Sequence, residues 1–86
     1  MKQEISIGSY DPASGLRLSW TPGFNIEVGF HSGEVLILAN SAGLTSLAQH
    51  LLTLAGESVP SGTHVHLDAY GGLEDGSVDL ILERRE

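Results

Sequence analysis

The sequence contains no cysteine and very little positive charge. Without cysteine, neither a disulfide bond nor a thiolate metal site can form in these 86 residues. Only four residues are Lys or Arg, against eleven Asp and Glu, so the formal net charge is −7. Nucleic-acid backbones are bound mainly by clusters of Lys and Arg, and this balance argues against a nucleic-acid partner. It favours a cationic partner, although the charge can also serve only to keep a small protein soluble.

Long apolar runs are also missing. The longest, Val35–Ala39, is far too short to cross a bilayer, so no membrane partner is expected. Met1–Glu4 is not followed by the apolar stretch of a signal peptide. A chain of this length has room for one hydrophobic core. We therefore expect a cytoplasmic protein in which residues 1–86 form a single domain.

Short alternating segments separated by turn residues predict an α+β fold. We expect a mostly antiparallel sheet of about six short strands, with one helix packed on one face. Thr21-Pro22-Gly23-Phe24 fits a type II turn, with positive φ at the glycine. The predicted strands are Gln3–Ile7, Leu16–Trp20, Phe24–His31, Glu34–Ala39, Thr63–Tyr70 and Ser77–Glu83. Their predicted inward side chains include Ile5, Ile7, Phe24, Ile26, Val28, Phe30, Val78, Leu80 and Leu82.

One amphipathic helix is predicted between the fourth and fifth strands. Asn40 or Ser41 can cap its first turn, and Gly56 is a candidate left-handed C-terminal cap. His50 is expected at the boundary of the buried face. The apolar stripe recurs at three- and four-residue intervals and consists of Leu44, Leu47, Ala48, Leu51, Leu54 and Ala55. A single helix covers only one face of a sheet, so the other face must be polar or covered by a partner.

The strand Glu34–Ala39 differs from the others because it is apolar on both faces. Two interpretations remain open. It is either a central strand covered on both sides, or a strand whose second face meets another molecule.

A row of histidines provides the candidate chemistry. In the alternating segment Thr63–Asp68, the side chains of His64, His66 and Asp68 point to one face of the predicted strand. His64 and His66 are candidate zinc ligands, with Asp68 or a cross-strand carboxylate as the third ligand. The alternative, which we favour, is that these histidines serve packing or an interface without metal, so no cofactor is expected. Neither a Gly-x-Ser-x-Gly elbow nor a phosphate-binding glycine loop is present, and we expect no enzymatic activity.

Carboxylates dominate the same part of the chain. Between Arg17 and Arg84 there are eight carboxylates and no Lys or Arg. Strand parity places Glu27, Asp68, Asp79 and Glu83 opposite the inward apolar rows, on the uncovered sheet face. The candidate partner-binding residues are His64, His66, Asp68, Glu74, Asp75, Glu27, Asp79 and Glu83.

The segment from Glu34 to Glu83 resembles a bacterial family. It combines an apolar strand, the Leu- and Ala-rich helix from Asn40 to Leu52, the Gly-Thr-His-Val-His-Leu-Asp run at 62–68 and Gly-Leu-Glu-Asp-Gly-Ser at 72–77. This pattern resembles the immunity protein 32 family of bacterial polymorphic-toxin systems. The resemblance implies a cytoplasmic protein that binds and neutralises a protein toxin stoichiometrically. The alternatives are a small metal-binding or sensing domain using His64 and His66, and a homodimer formed through the uncovered face.

Overall fold

A computed structural model describes residues 5–86 of the chain. Its elements are β1 (Ser9–Asp11), β2 (Gly15–Arg17), β3 (Ile26–His31), β4 (Glu34–Ala39), α1 (Ser41–Leu54), β5 (His64–Leu67) and β6 (Leu80–Glu83). The α+β class is confirmed, with four strands before the helix and a pair of strands after it, although β1 is not one of the predicted strands. In the part of the chain that the structure describes, no helix is long and apolar enough to cross a membrane.

The strands pair as three antiparallel hairpins, β1–β2, β3–β4 and β5–β6, rather than as one continuous sheet. The last two are linked through the segment that precedes β6. There the amides of Glu74 and Val78 donate to the carbonyls of Ile26 and Val28 (2.8 and 2.9 Å). This segment thus occupies the edge of β3 that β4 leaves open.

The first predicted strand is not found where the structure can test it. Residues 3 and 4 lie outside the described part, and residues 5–8 form no strand. Ile5 and Ile7 are both exposed. The amides of Ser6 and Gly8 donate instead to side chains of α1, namely Gln49 Oε1 (3.0 Å) and Thr53 Oγ1 (2.8 Å). Because the helix already satisfies these backbone groups, a sheet partner is not needed.

The helix begins as the sequence predicts and ends differently. Asn40 is the N-cap: its side-chain oxygen accepts the amides of Gly43 (2.8 Å) and Asn25 (3.0 Å). At the other end Ala55 is right-handed, and Gly56 is not among the residues with positive φ. The prediction of a left-handed Gly56 cap is therefore wrong. The guanidinium of Arg84 instead donates to the carbonyls of Leu54 and Gly56.

The buried face of α1 is largely polar. Ser46, Gln49, His50 and Thr53 are all buried, whereas Leu44, Leu51 and Leu52 of the same helix are exposed. Several of these polar groups are bonded to the N-terminal segment, for example Ser46 Oγ, which accepts the amide of Thr21 (2.8 Å). The predicted apolar stripe is therefore only half right, since Leu47 and Leu54 alone among its leucines are buried. His50 is fully buried, which corrects its predicted boundary position.

The core lies between α1 and the inner faces of the hairpins. It consists of Ile26, Val28, Leu47, Leu54, Val65, Leu67 and Leu73, with Leu16, Leu18, Trp20, Phe24, Ala39, Leu80 and Leu82 packed against it. Phe30 and Val78 are 64% and 43% exposed, so their predicted inward placement is wrong.

β4 is covered on neither face. Val35, Leu36, Ile37 and Leu38 remain 61%, 61%, 41% and 58% exposed. The interpretation of this segment as a central strand is therefore wrong, because β3 is its one partner among the described strands. The other interpretation, in which β4 meets another molecule, stays open.

Candidate functional site

The alternating pattern of β5 divides its side chains as predicted. Val65 and Leu67 are buried, whereas His64 and His66 are exposed. The register pairs His64 with Glu83 and His66 with Ile81 on β6. Cross-strand neighbours lie on the same face, so the outer face of this hairpin carries both histidines and the carboxylate of Glu83.

A compact cluster forms where this face ends. His66 Nε2 and Asp79 Oδ2 are 2.8 Å apart, within hydrogen-bonding distance. Asp68 completes the group, because one ligand atom from each of the three residues lies within 4.8 Å of the others. We call His66, Asp68 and Asp79 the acidic cluster. His66 and Asp79 are about half exposed, at 47% and 59%, so a partner can reach both side chains.

Asp68 also organises the turn that follows β5. Its Oδ1 accepts the amide of Tyr70 (3.0 Å), and its carbonyl accepts the amides of Gly71 and Leu73 (3.1 and 3.0 Å). An aspartate that bonds the amide two residues ahead stabilises a tight turn. The turn presents Tyr70 with its side chain completely exposed beside the acidic cluster. Sequence reasoning missed Tyr70, although an aspartate followed two residues later by an aromatic residue and then by two glycines is a usable signal for a contact residue in a loop.

The remaining predicted carboxylates lie outside the acidic cluster. Glu27 is exposed on β3, opposite Leu38. Glu74 Oε1 accepts a hydrogen bond from Asn25 Nδ2 (2.6 Å), and Asp75 follows in the same exposed loop. The acidic residues are therefore divided between two hairpins, with Glu83, Asp68 and Asp79 on one and Glu27 on the other.

His64 lies outside the acidic cluster. Its Nδ1 is 3.3 Å from the carbonyl oxygen of Gly62, and its ring stands at the opposite end of β5 from Asp68. The ligand atoms that converge thus come from His66, Asp68 and the cross-strand carboxylate of Asp79. They do not come from the two histidines together.

A cleft of about 750 Å³ runs beside β5. Trp20 forms part of its wall, where its ring lies 4.5 Å from that of Phe24 between centroids. Gly72 is required at this point, because an added Cβ would lie 2.6 Å from the Trp20 ring and φ is +106°. The lining is mostly apolar and comprises Leu16, Leu18, Trp20, Phe24, His64, Val65, His66, Leu67, Gly71 and Gly72.

The buried histidine is chemically distinct from those on the surface. Within the described structure, neither ring nitrogen of His50 has a hydrogen-bond partner. Its ring packs edge-on against Trp20, with centroids 4.3 Å apart. Burial lowers the pKa of His50 from 6.5, because the charged form would lose its hydration. His50 thus supports the wall of the cleft from beneath and is not itself accessible to a partner.

Together these features define a small α+β protein with an exposed acidic and histidine-bearing surface beside an apolar cleft. A family model described as immunity protein 32 matches residues 34–85, which is more than half of the chain, and the chain belongs to that family. The matched region includes the whole acidic cluster, Tyr70, Glu74 and β4. No curated protein and no solved structure matches the chain.

Proposed function

We propose that this protein neutralises a bacterial protein toxin by binding it stoichiometrically in the cytoplasm, without catalysis. Membership of the immunity protein 32 family supports the type of function. The observation that supports this surface as the toxin-binding one is the acidic cluster of His66, Asp68 and Asp79. The cluster is accessible, already assembled and within the residues that match the family. Carboxylates so arranged suit a cationic toxin surface.

Two features beside the acidic cluster can supply the apolar contacts that an acidic surface lacks. Affinity in protein interfaces comes mainly from a few anchors that fill pockets, especially aromatic side chains and arginine. Tyr70 is fully exposed next to the cluster, and the cleft lined by Trp20 can receive an apolar toxin side chain. We infer that charge directs the encounter and that these two features hold the complex together. Glu27, Glu74, Asp75, Glu83 and His64 extend the charged rim.

The test is the affinity for the toxin domain encoded beside this chain's gene, measured by calorimetry at low and high ionic strength. The double variant D75K/D79K reverses two exposed charges, and we expect at least a roughly 100-fold weaker complex. The matched control is E57K, which reverses an exposed carboxylate just beyond the C-terminal end of α1. We expect wild type to bind the toxin tightly and less tightly as salt is added. The affinity of E57K should be close to that of wild type. Equal affinities for wild type and D75K/D79K would overturn the acidic-surface proposal.

Asp68 and Glu74 require milder changes, because Asp68 holds the turn after β5 and Glu74 bonds to Asn25, whereas Asp79 bonds only to the exposed ring of His66 among the hydrogen bonds of the described structure. D68N and E74Q remove the charge and keep a side-chain oxygen that can accept the same hydrogen bond. We expect each to weaken toxin binding by about tenfold, with circular dichroism unchanged. Charge reversal at either position would confuse loss of binding with loss of structure.

A metal site is the second candidate, and the convergence of three ligand atoms favours it. An imidazole and two carboxylates suit zinc. However, His66 and Asp79 already bond to each other at 2.8 Å, and a metal would have to replace that bond. If zinc binds, calorimetry should give micromolar affinity that is lost in D79N and retained in H64Q. No heat of binding in wild type would eliminate this candidate.

A further inference from the structure

β4 has an open backbone edge. The amide of Asn40 donates to the carbonyl of Asn25, which sets the phase of the β3–β4 ladder. In an antiparallel ladder alternate residues turn their N–H and C=O toward the partner. Leu36 and Leu38 therefore direct these groups toward β3, and Val35, Ile37 and Ala39 direct theirs away from it. Among residues 5–86, no backbone bond from another segment reaches this outward edge.

The side chains along this edge are apolar on both faces. Phe30 and residues 35–38 are all more than 40% exposed, with Phe30, Val35 and Ile37 on one face and Leu36 and Leu38 on the other. A long, flat and apolar edge strand is an aggregation hazard unless something covers it. Ile81, 57% exposed on β6, also lies on a strand with one partner, but only β4 carries four such residues in succession among the described strands.

We propose that β4 pairs with β4 of a second copy of this chain, in antiparallel orientation about a two-fold axis at Ile37. This pairing would join two β3–β4 hairpins into one four-stranded sheet. It would add backbone hydrogen bonds along the edge and bring apolar side chains of the two copies into cross-strand contact, over a smaller area than the roughly 800 Å² per partner of a standard interface. The dimer would leave the acidic cluster, which lies on the other hairpin, available to a toxin.

The sequence of β4 fits pairing with itself. Val35–Ala39 carries no charge, so the centre of the edge offers a cationic partner nothing to recognise, and Glu34 lies only at its end. The two-fold axis at the centre of this run pairs the most apolar residues, with Leu36 opposite Leu38 of the second copy. Glu34 then faces Asn40 of the second copy and not another Glu34. Other registers overlap fewer apolar residues, and a register centred closer to Glu34 would bring the two carboxylates together.

Dimerisation through β4 and binding of the toxin should respond to ionic strength in opposite directions. Each copy carries a formal charge of −7, so two copies repel each other at long range. Added salt screens this repulsion and should strengthen the dimer. The same salt should weaken binding of a cationic toxin. The two proposals can therefore fail independently.

The test is analytical ultracentrifugation of the full chain from low to several hundred micromolar. Wild type should approach twice the chain mass, at lower concentration when salt is added. L36K/L38K places lysines opposite each other across the two-fold axis, and we expect it to remain at the chain mass. L36K/L38E carries equally large substitutions but places the introduced lysine of each copy opposite the introduced glutamate of the other, and we expect it to dimerise. L51K changes a similarly exposed leucine of α1 and should dimerise like wild type.

Monomeric wild type throughout this range would overturn the proposal, and so would a dimer of L36K/L38K. A monomer of both double variants, with L51K dimeric, would refute the register centred on Ile37. If wild type is monomeric alone and L36K/L38K weakens toxin binding, β4 is a toxin contact and the second copy is excluded. Circular dichroism of each variant verifies that the fold is retained.

Discussion

β5 and β4 are strands of similar length in two antiparallel hairpins, yet they expose opposite kinds of surface. In β5 the inward Val65 and Leu67 are buried and the outward side chains are histidines. In β4 the apolar run continues through both faces, and residues 35–38 stay exposed. β5 therefore buries its apolar side chains within one chain, whereas β4 exposes apolar side chains on both faces and has a backbone edge that the described chain does not cover.

This difference separates two ways of meeting a partner. The outer face of β5–β6 is polar and solvated, so it can remain exposed until a charged partner arrives. The edge of β4 is unfavourable in water and needs a permanent or abundant partner. We assign the first surface to the toxin and the second to another copy of the chain.

The largest effect is expected when one leucine from each hairpin is truncated and the losses in the free energy of unfolding are compared. L67A removes a side chain that is 2% exposed in the core, and we expect a loss of about 3 kcal/mol in the free energy of unfolding. L36A removes the same atoms from β4, where the side chain is 61% exposed. At a concentration where the chain is monomeric, L36A should cost less than about 0.5 kcal/mol. Urea unfolding followed by circular dichroism measures both values.

Equal losses for these two variants would contradict the comparison. They would mean that β4 is covered within a single chain. Repeating the L36A measurement at high protein concentration extends the test. If β4 forms a dimer, the loss in the free energy of unfolding caused by L36A should rise with concentration.

An intermediate effect is expected at Arg84, which fastens the β5–β6 hairpin to the helix. Its guanidinium donates to the carbonyls of Leu54 and Gly56, which end α1, and its backbone bonds to Thr63 and Gly62. R84A should therefore reduce the free energy of unfolding by about 1.5–3 kcal/mol, since charged donors make the stronger hydrogen bonds. Thermal and urea unfolding both report this loss.

R85A is the matched control for R84A. Arg85 is the next residue along the chain and lies outside β6. We expect R85A to stay within about 0.5 kcal/mol of wild type. A similar loss in both variants would show that net charge, and not the bond to the helix end, is responsible.

The smallest effect concerns pH and distinguishes the buried histidine from those of β5. The pKa of His50 is lowered by burial, so the unfolded chain binds its proton more readily than the folded one. Stability should therefore fall as pH decreases through about 6.5, by at most about 1.4 kcal/mol per pH unit from this residue. The loss ends once the pH is below the folded pKa. Unfolding curves between pH 8 and 5 measure the slope.

H50L should flatten this slope, because the substitution removes the buried titrating group. It also removes two ring nitrogens that have no partner in the described structure, so stability at pH 8 should change little for a core position. H64Q, on the exposed face of β5, is the control and should keep the wild-type slope. An unchanged slope in H50L would show that another group controls the acid sensitivity.

Sequence reasoning succeeded where the local signal was strong. Asn40 is a side chain that caps helices well, and it caps α1. Gly23 has φ +83°, as the predicted type II turn requires. The alternation of His64–Leu67 correctly assigned inward and outward side chains, because only one face of that hairpin meets the core.

Sequence reasoning failed where hydrogen bonds from a distant segment of the chain decide which residues are buried or how a helix ends. Ser46, Gln49 and Thr53 resemble the polar face of α1, yet they are buried because backbone amides of residues 6–21 bond to them. The helix is rotated accordingly, and Leu44 and Leu51 face outward. Likewise Gly56 is a suitable left-handed cap in isolation, but Arg84 reaches the helix end from far along the chain.

The sequence by itself determined the α+β class, the helix start and the family, because each depends on local patterns or on motifs within a short stretch. Only the tertiary structure decided that Asp79 joins His66 and Asp68, that the acidic residues divide between two hairpins, and that β4 lies open. These depend on strand register and on which surfaces the single helix can reach, and both are fixed by contacts between distant residues.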